Sequence, residues 1–206
     1  MRTITALFDT YDHAASAVRA VKDAGIPSDD ISLIANKLGG DTDIDAPSDL
    51  EAGEGAAAGA GVGAVAGGGA GLLAGLGTLA IPGIGPVIAG GWLLATAVGA
   101  LAGAAVGGAA GGLLGALANA GVPEAEAHVY AEGVRRGGTL VTVRADDNRA
   151  DSISAILQHS AGVDIDARRS DYLAEGWTGF DEDAPAYSEE QIRDYRSSYG
   201  VVPPIV

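Results

Sequence analysis

No cysteine occurs in the 206 residues, so neither a disulfide nor thiolate chemistry is open to the chain. Basic side chains are scarce as well. Twelve Lys and Arg stand against 27 Asp and Glu, a formal net charge of −15. Because phosphate-backbone binding depends on neutralisation by Lys and Arg, no nucleic-acid partner is expected. The opening Met1-Arg2-Thr3-Ile4-Thr5-Ala6-Leu7-Phe8-Asp9 meets an acid too early to hold the roughly 7 to 15 residue apolar core of a secretion signal. A cytoplasmic protein is expected, with any membrane contact made elsewhere in the chain. The most informative absence is local. From Gly55 to Pro123, 69 residues, there is no Asp, Glu, Lys or Arg, and all 39 charged side chains fall in the other 137 residues. The flanks therefore have ordinary soluble-domain composition.

Thr3 to Phe8 is a β-rich run, after which Asp9 or Thr10 caps a helix with Ala14, Ala17, Val18 and Val21 at helical spacing. Gly25 and Pro27 end it, and Asp30 to Ala35 reads as a second strand. Beyond the uncharged run, Pro123 suits the first turn of a helix that ends at Gly137-Gly138, and Thr139 to Ala145 follows as a strand. Asp147 or Asn148 caps another helix carrying Ile153, Ile156 and Leu157, and Val163 to Arg168 alternates apolar with charged residues as a half-buried strand does. Two strands and one helix bury too little surface to stand alone. The two halves, 1–38 and 122–169, are therefore expected to combine into one α+β domain, a ferredoxin-like split β-α-β sandwich with two helices on one face.

Between an acidic linker at 39–54 and the second half lies 55–121, expected to be a helical hairpin. Gly55, Gly59, Gly63, Gly67, Gly71 and Gly75 recur every four residues. After Ile81-Pro82-Gly83-Ile84-Gly85-Pro86 the spacing resumes at Gly91, Ala95, Gly99, Gly103, Gly107, Gly111 and Gly115. Residues four apart share a helix face. Each interior glycine costs roughly 1 kcal/mol against alanine, so such arms need close backbone packing to offset the loss. Gly55 to Ala80 and Val87 to Ala118 are accordingly read as two long helices packed through their glycine faces, within one chain or between copies. The run is long and uncharged enough to enter a membrane. Its weakly apolar Gly and Ala also suit the core of a soluble oligomeric particle, or an elastin-like coil. Trp92 serves equally as an interfacial belt residue or as a packing anchor for the turn.

Asp41, Asp43 and Asp45 invite a calcium-loop reading, which fails because Ala46 and Ala52 stand where the turn glycine and bidentate Glu belong. Residues 170–206 hold Tyr172, Trp177, Phe180, Tyr187, Tyr195 and Tyr199 beside eight acids and two arginines. Disordered tails are poor in aromatics, so Trp177, Phe180, Tyr187, Tyr195 and Tyr199 are expected to dock this tail on its own domain, or on a neighbouring subunit. Ser188-Glu189-Glu190-Gln191 is a capping box for a short helix. His13, His128 and His159 lack a paired ligand spacing, no nucleophile has a recognisable base, and Arg135-Arg136 is explained by a helix C-terminus. No catalytic residue, cofactor, metal or small-molecule substrate is expected.

Gly121-Val122-Pro123-Glu124-Ala125-Glu126-Ala127-His128-Val129-Tyr130-Ala131-Glu132-Gly133-Val134-Arg135-Arg136-Gly137-Gly138, running into a strand, resembles the bacterial general stress protein family with a YflT-like (heat-induced stress) domain. The likeness covers roughly residues 1 to 169, and Gly176 to Ile192 resembles an extension found on some proteobacterial members. What it implies is a stress-linked, non-enzymatic protein. The reading is thus of a self-associating glycine-zipper protein at the cytoplasmic membrane. Alternatives are a soluble homo-oligomeric particle or filament, and a ligand- or metal-sensing regulatory domain.

Overall fold

The computed structural model describes residues 1–39, 77–93, 96 and 112–200. Within them the chain is of the α+β class, with six helices and one open five-stranded antiparallel sheet of order β1-β5-β2-β4-β3. β1 is Arg2–Phe8, β2 Ile31–Asn36, β3 Gly77–Ile81, β4 Gly85–Gly90 and β5 Thr139–Ala145. The helices are α1 (Tyr11–Asp23), α2 (Gly112–Asn119), α3 (Glu124–Arg135), α4 (Asp147–His159), α5 (Ile165–Ala174) and α6 (Glu189–Ser198).

The flanks combine around β5. It pairs antiparallel with β1, Thr5 opposite Thr142, and with β2, Leu33 opposite Val141, so β1 and β2 run parallel with β5 between them. Thr10 caps α1 by accepting the His13 amide at 3.2 Å, and Gly25 at φ +84° stops the chain from continuing. Ala14, Ala17, Val18 and Val21 pack with Ile153 and Leu157 of α4 against Phe8, Val141 and Val143. The opposite sheet face, with Leu7, Ile34, Val87, Ala89 and Leu140, is covered by α2 and α3 through Leu113, Leu117, Tyr130 and Val134. Helices thus lie on both faces rather than on one, because α3, the extra helix of the second half, takes the second face.

Two sequence readings are corrected here. Val163 to Arg168 is not a strand. Val163 donates one backbone bond to Leu7 at 2.8 Å beside β1, and the Asp164 carboxylate then accepts the amides of Asp166 and Ala167 at 3.1 and 3.0 Å and starts α5. The cap and the helical spacing of Arg168 and Tyr172, both buried, override the short alternation.

The second correction concerns the hairpin. Gly55–Ala80 and Val87–Ala118 are not uninterrupted helices, since Gly77–Ile81 and Gly85–Gly90 are strands. Ile81-Pro82-Gly83-Ile84 closes a turn, with the Ile84 amide donating to the Ile81 carbonyl at 3.1 Å and Gly83 at φ +72°. β4 then pairs with β2, Leu33 opposite Gly90 and Asn36 opposite Val87. Ile81, Ile84, Val87 and Ile88 are buried, and the ladder satisfies backbone groups that β2 would otherwise bury unpaired. Prolines at 82 and 86 remove two amides and suit a turn and a strand start better than a helix interior.

Candidate functional site

The predicted glycine face falls mostly outside the described residues: Gly55, Gly59, Gly63, Gly67, Gly71, Gly75, Gly99, Gly103, Gly107 and Gly111 lie there. Gly91 and Gly115 do not share a helix face. Gly91 sits at φ +92° against β2, where a Cβ would overlap the Ile31 carbonyl and lie 2.7 Å from the Ser32 Cα. Close approach of two strands therefore demands this glycine. Gly115 is buried in α2. Trp92 packs as an anchor, with the Arg144 guanidinium 4.7 Å from its ring and Arg144 paired to Asp30 at 2.9 Å.

One relationship bears directly on the uncharged run. Gly77 is the cross-strand partner of Ala89, so β3 begins where β4 finishes. Gly77 and the residues just after Gly90 therefore lie at the same, open end of one hairpin. Gly39 lies beyond β2, and Gly112 enters α2 at φ +74°.

The predicted tail residues surround a second centre. Phe180 is buried with α2 and α3, and its amide donates to His128 Nδ1 at 3.1 Å. Asp181 and Glu182 then cross the hairpin turn, where a Cβ on Gly83 would be 2.7 Å from the Asp181 carbonyl, and Ala186 crosses Gly85. Tyr187 lies under the Arg135 guanidinium at 4.8 Å. Trp177 packs edge-on to Tyr172, ring centroids 5.5 Å apart. Tyr195 and Tyr199, on α6 and just beyond it, have centroids 5.1 Å apart. The capping box of Ser188 and Gln191 forms at the start of α6.

Sequence reasoning missed the groups that these rings meet. Arg136 is buried between Tyr172, at 4.2 Å, and Tyr195, at 4.9 Å, and its nitrogens bond Glu132 at 2.7 Å and Glu175 at 2.5 Å. Arg168 is buried as well. It holds both oxygens of Asp9 at 2.9 Å, donates to the Tyr195 hydroxyl at 3.1 Å and lies 4.0 Å from the centre of the Tyr199 ring. The Tyr195 hydroxyl donates in turn to that of Tyr172 at 3.1 Å. Burial works against the charge of each guanidinium. The bonds that Arg136 donates to Glu175 and Glu132, and Arg168 to Asp9, more than offset it and hold both arginines firmly protonated. For Tyr172 burial outweighs the neighbouring cations and pushes the phenol up to about 12, and Tyr195 is raised by burial first and by Tyr172 second. These donors are committed to fixed carboxylates and rings, an arrangement that fastens the tail. A spacing signal existed for part of it, since Glu132 and Arg136 stand four apart in α3. The Asp9–Arg168 pair spans nearly the whole chain and had none.

Among the described residues no helix is long and apolar enough to cross a membrane, and no group of three or more His, Cys, Asp or Glu could hold a metal ion. Comparison of the chain with models of known protein families, with curated proteins and with solved structures found no match.

Proposed function

We propose that the chain is a non-enzymatic, stress-related structural protein that self-associates through its glycine-zipper hairpin at the cytoplasmic membrane. The pairing of Gly77 with Ala89 carries this reading. It brings the start of β3 and the end of β4 together at one end of the hairpin, as mutual packing of the uncharged segments, or packing between copies, requires. The glycine spacing supplies the contact surface, since backbones approach closely only where side chains are missing. The tail fastens the hairpin from outside through Gly83 and Gly85, which makes the sheet a firm base for what leaves it. The β1-α1-β2 unit with β5 between its strands supports a ferredoxin-like ancestry for that base, and the motif from Gly121 to Gly138 supports kinship with the general stress proteins.

Replacing Gly63, Gly67, Gly103 and Gly107 together with Leu is expected to dissociate the assembly, read as a fall in mass by native mass spectrometry. An unchanged mass counts against the reading. Carbonate extraction of cell membranes tests the location: recovery wholly in the soluble fraction replaces the membrane assembly with a soluble particle or filament.

A further inference from the structure

β1 is an edge strand, and among the described residues no strand covers its outer side. The Leu7 carbonyl accepts the Val163 amide and the Thr5 carbonyl accepts the Tyr130 hydroxyl at 3.1 Å, neither partner belonging to β5. In an antiparallel ladder alternate residues turn both backbone groups the same way, so Thr3 and Thr5 direct theirs away from β5. A groove of about 220 Å³ runs along that edge, floored by Arg2 to Thr5 and walled by Val122, Glu126 and Tyr130 on one side and Ala150, Asp151 and Ser154 on the other.

The charges around the groove select the occupant. Glu126 stands on one wall and Asp151 on the other, with Asp147 beside the chain's first residue. Arg2 faces Asp151 at 3.9 Å and the Met1 ammonium faces Asp147 at 3.6 Å, so the local cations are already opposed and acids remain in excess. Two copies of this chain meeting edge to edge would bring these acids together within a molecule of net charge −15, whereas a cationic strand is drawn to them.

We propose that the open edge of β1 binds an extended segment of a basic partner protein by strand addition, Thr3 supplying both of its backbone groups and Thr5 its amide, with Glu126 and Asp151 pairing with its Lys or Arg. The fit follows the general mode in which main-chain bonds supply affinity and alternate side chains supply specificity. Because α3 and α4 already wall the site, the strand adds to β1 without any rearrangement of the sheet.

The test uses the full chain and a blocked, fluorescent eight-residue peptide of alternating Lys and Val, with the Glu and Val peptide as control, read by fluorescence anisotropy. Expected are saturable binding of the Lys peptide, none of the Glu peptide, and slowed hydrogen exchange at the Thr3 and Thr5 amides. Thr3→Pro removes an outward amide and leaves the β1–β5 ladder whole, so a tenfold or greater loss of affinity is expected. Glu126→Lys with Asp151→Lys changes only groove-rim charges and is expected to abolish Lys-peptide binding even if Thr3→Pro perturbs folding. Absence of binding, equal binding of both peptides, binding unmoved by the double reversal, or protection of the edge amides by self-association alone each overturns the proposal.

Discussion

The guanidinium of Arg136 lies 4.2 Å from the centre of the Tyr172 ring while its Nε donates to Glu132 at 2.7 Å, with both charged side chains nearly sealed from solvent. The pair joins α3 to α5 and, through Tyr195, to α6. Breaking a buried pair from one side strands the other charge, at about 3 to 5 kcal/mol. Because Glu132 keeps its bond from Arg135 at 3.3 Å, Arg136→Met is expected to lower stability by less than that in urea unfolding. Glu132→Gln combined with Arg136→Met is expected to lose clearly less than the two single changes added together.

Alkaline titration reads the same cluster. Burial is the leading cause that raises Tyr172, Tyr195, Tyr199 and Tyr130, with Tyr172 at about 12. A folded value above the unfolded one, about 10, gives stability fully present below pH 10 and lost as pH rises towards 12. Absorbance at 295 nm is expected to show these phenols ionising late and together, coincident with loss of the near-ultraviolet circular dichroism signal. Ionisation of all tyrosines near pH 10 with the fold intact would contradict the burial.

Gly137 binds the tail to the body by what it lacks. At φ +98°, it faces Ile192 of α6 where a Cβ would stand. Gly121, at φ +85° with nothing within 4 Å of that position, isolates the backbone cost. Gly121→Ala is expected to cost roughly 1 to 3 kcal/mol from strain alone. Gly137→Ala is expected to cost more and to open the tail to limited proteolysis between Ala174 and Ser188. Equal losses would mean that Ile192 moves aside freely.

Gly91→Ala distinguishes the strand pairing of β4 from a helical arm. In a helix, alanine would stabilise by about 1 kcal/mol. Against β2 the new Cβ overlaps backbone at Ile31 and Ser32. Destabilisation is expected, with faster hydrogen exchange at the β2 amides from Leu33 to Asn36.

Cap residues made most of the flanks legible. Thr10, Gly25 and the box from Ser188 to Gln191 each mark a helix end where the sequence placed it, because such signals act within a few residues. Two local patterns misled. Glycine every fourth residue resembles a helix face, yet the apolar runs on either side of Pro82-Gly83 also suit a hairpin, and the choice was made by β2, which lies about fifty residues away in the chain. The alternation at Val163 to Arg168 competed with the Asp164 cap, and only the position of Asp9 explains why Arg168 turns inward. The glycines proposed to carry assembly lie mainly outside the described residues, and the tail site showed its rings but not the two arginines between them.

Gly39, where the acidic linker begins, is tightly packed. A Cβ there would stand 2.8 Å from the Gly137 carbonyl and 3.5 Å from Arg196 of α6. Any side chain at position 39 would thus have to displace the turn at Gly137 or Arg196. The C-terminal helix packs against residues 37–39, and a chain trimmed before Glu189 would uncover that end of β2.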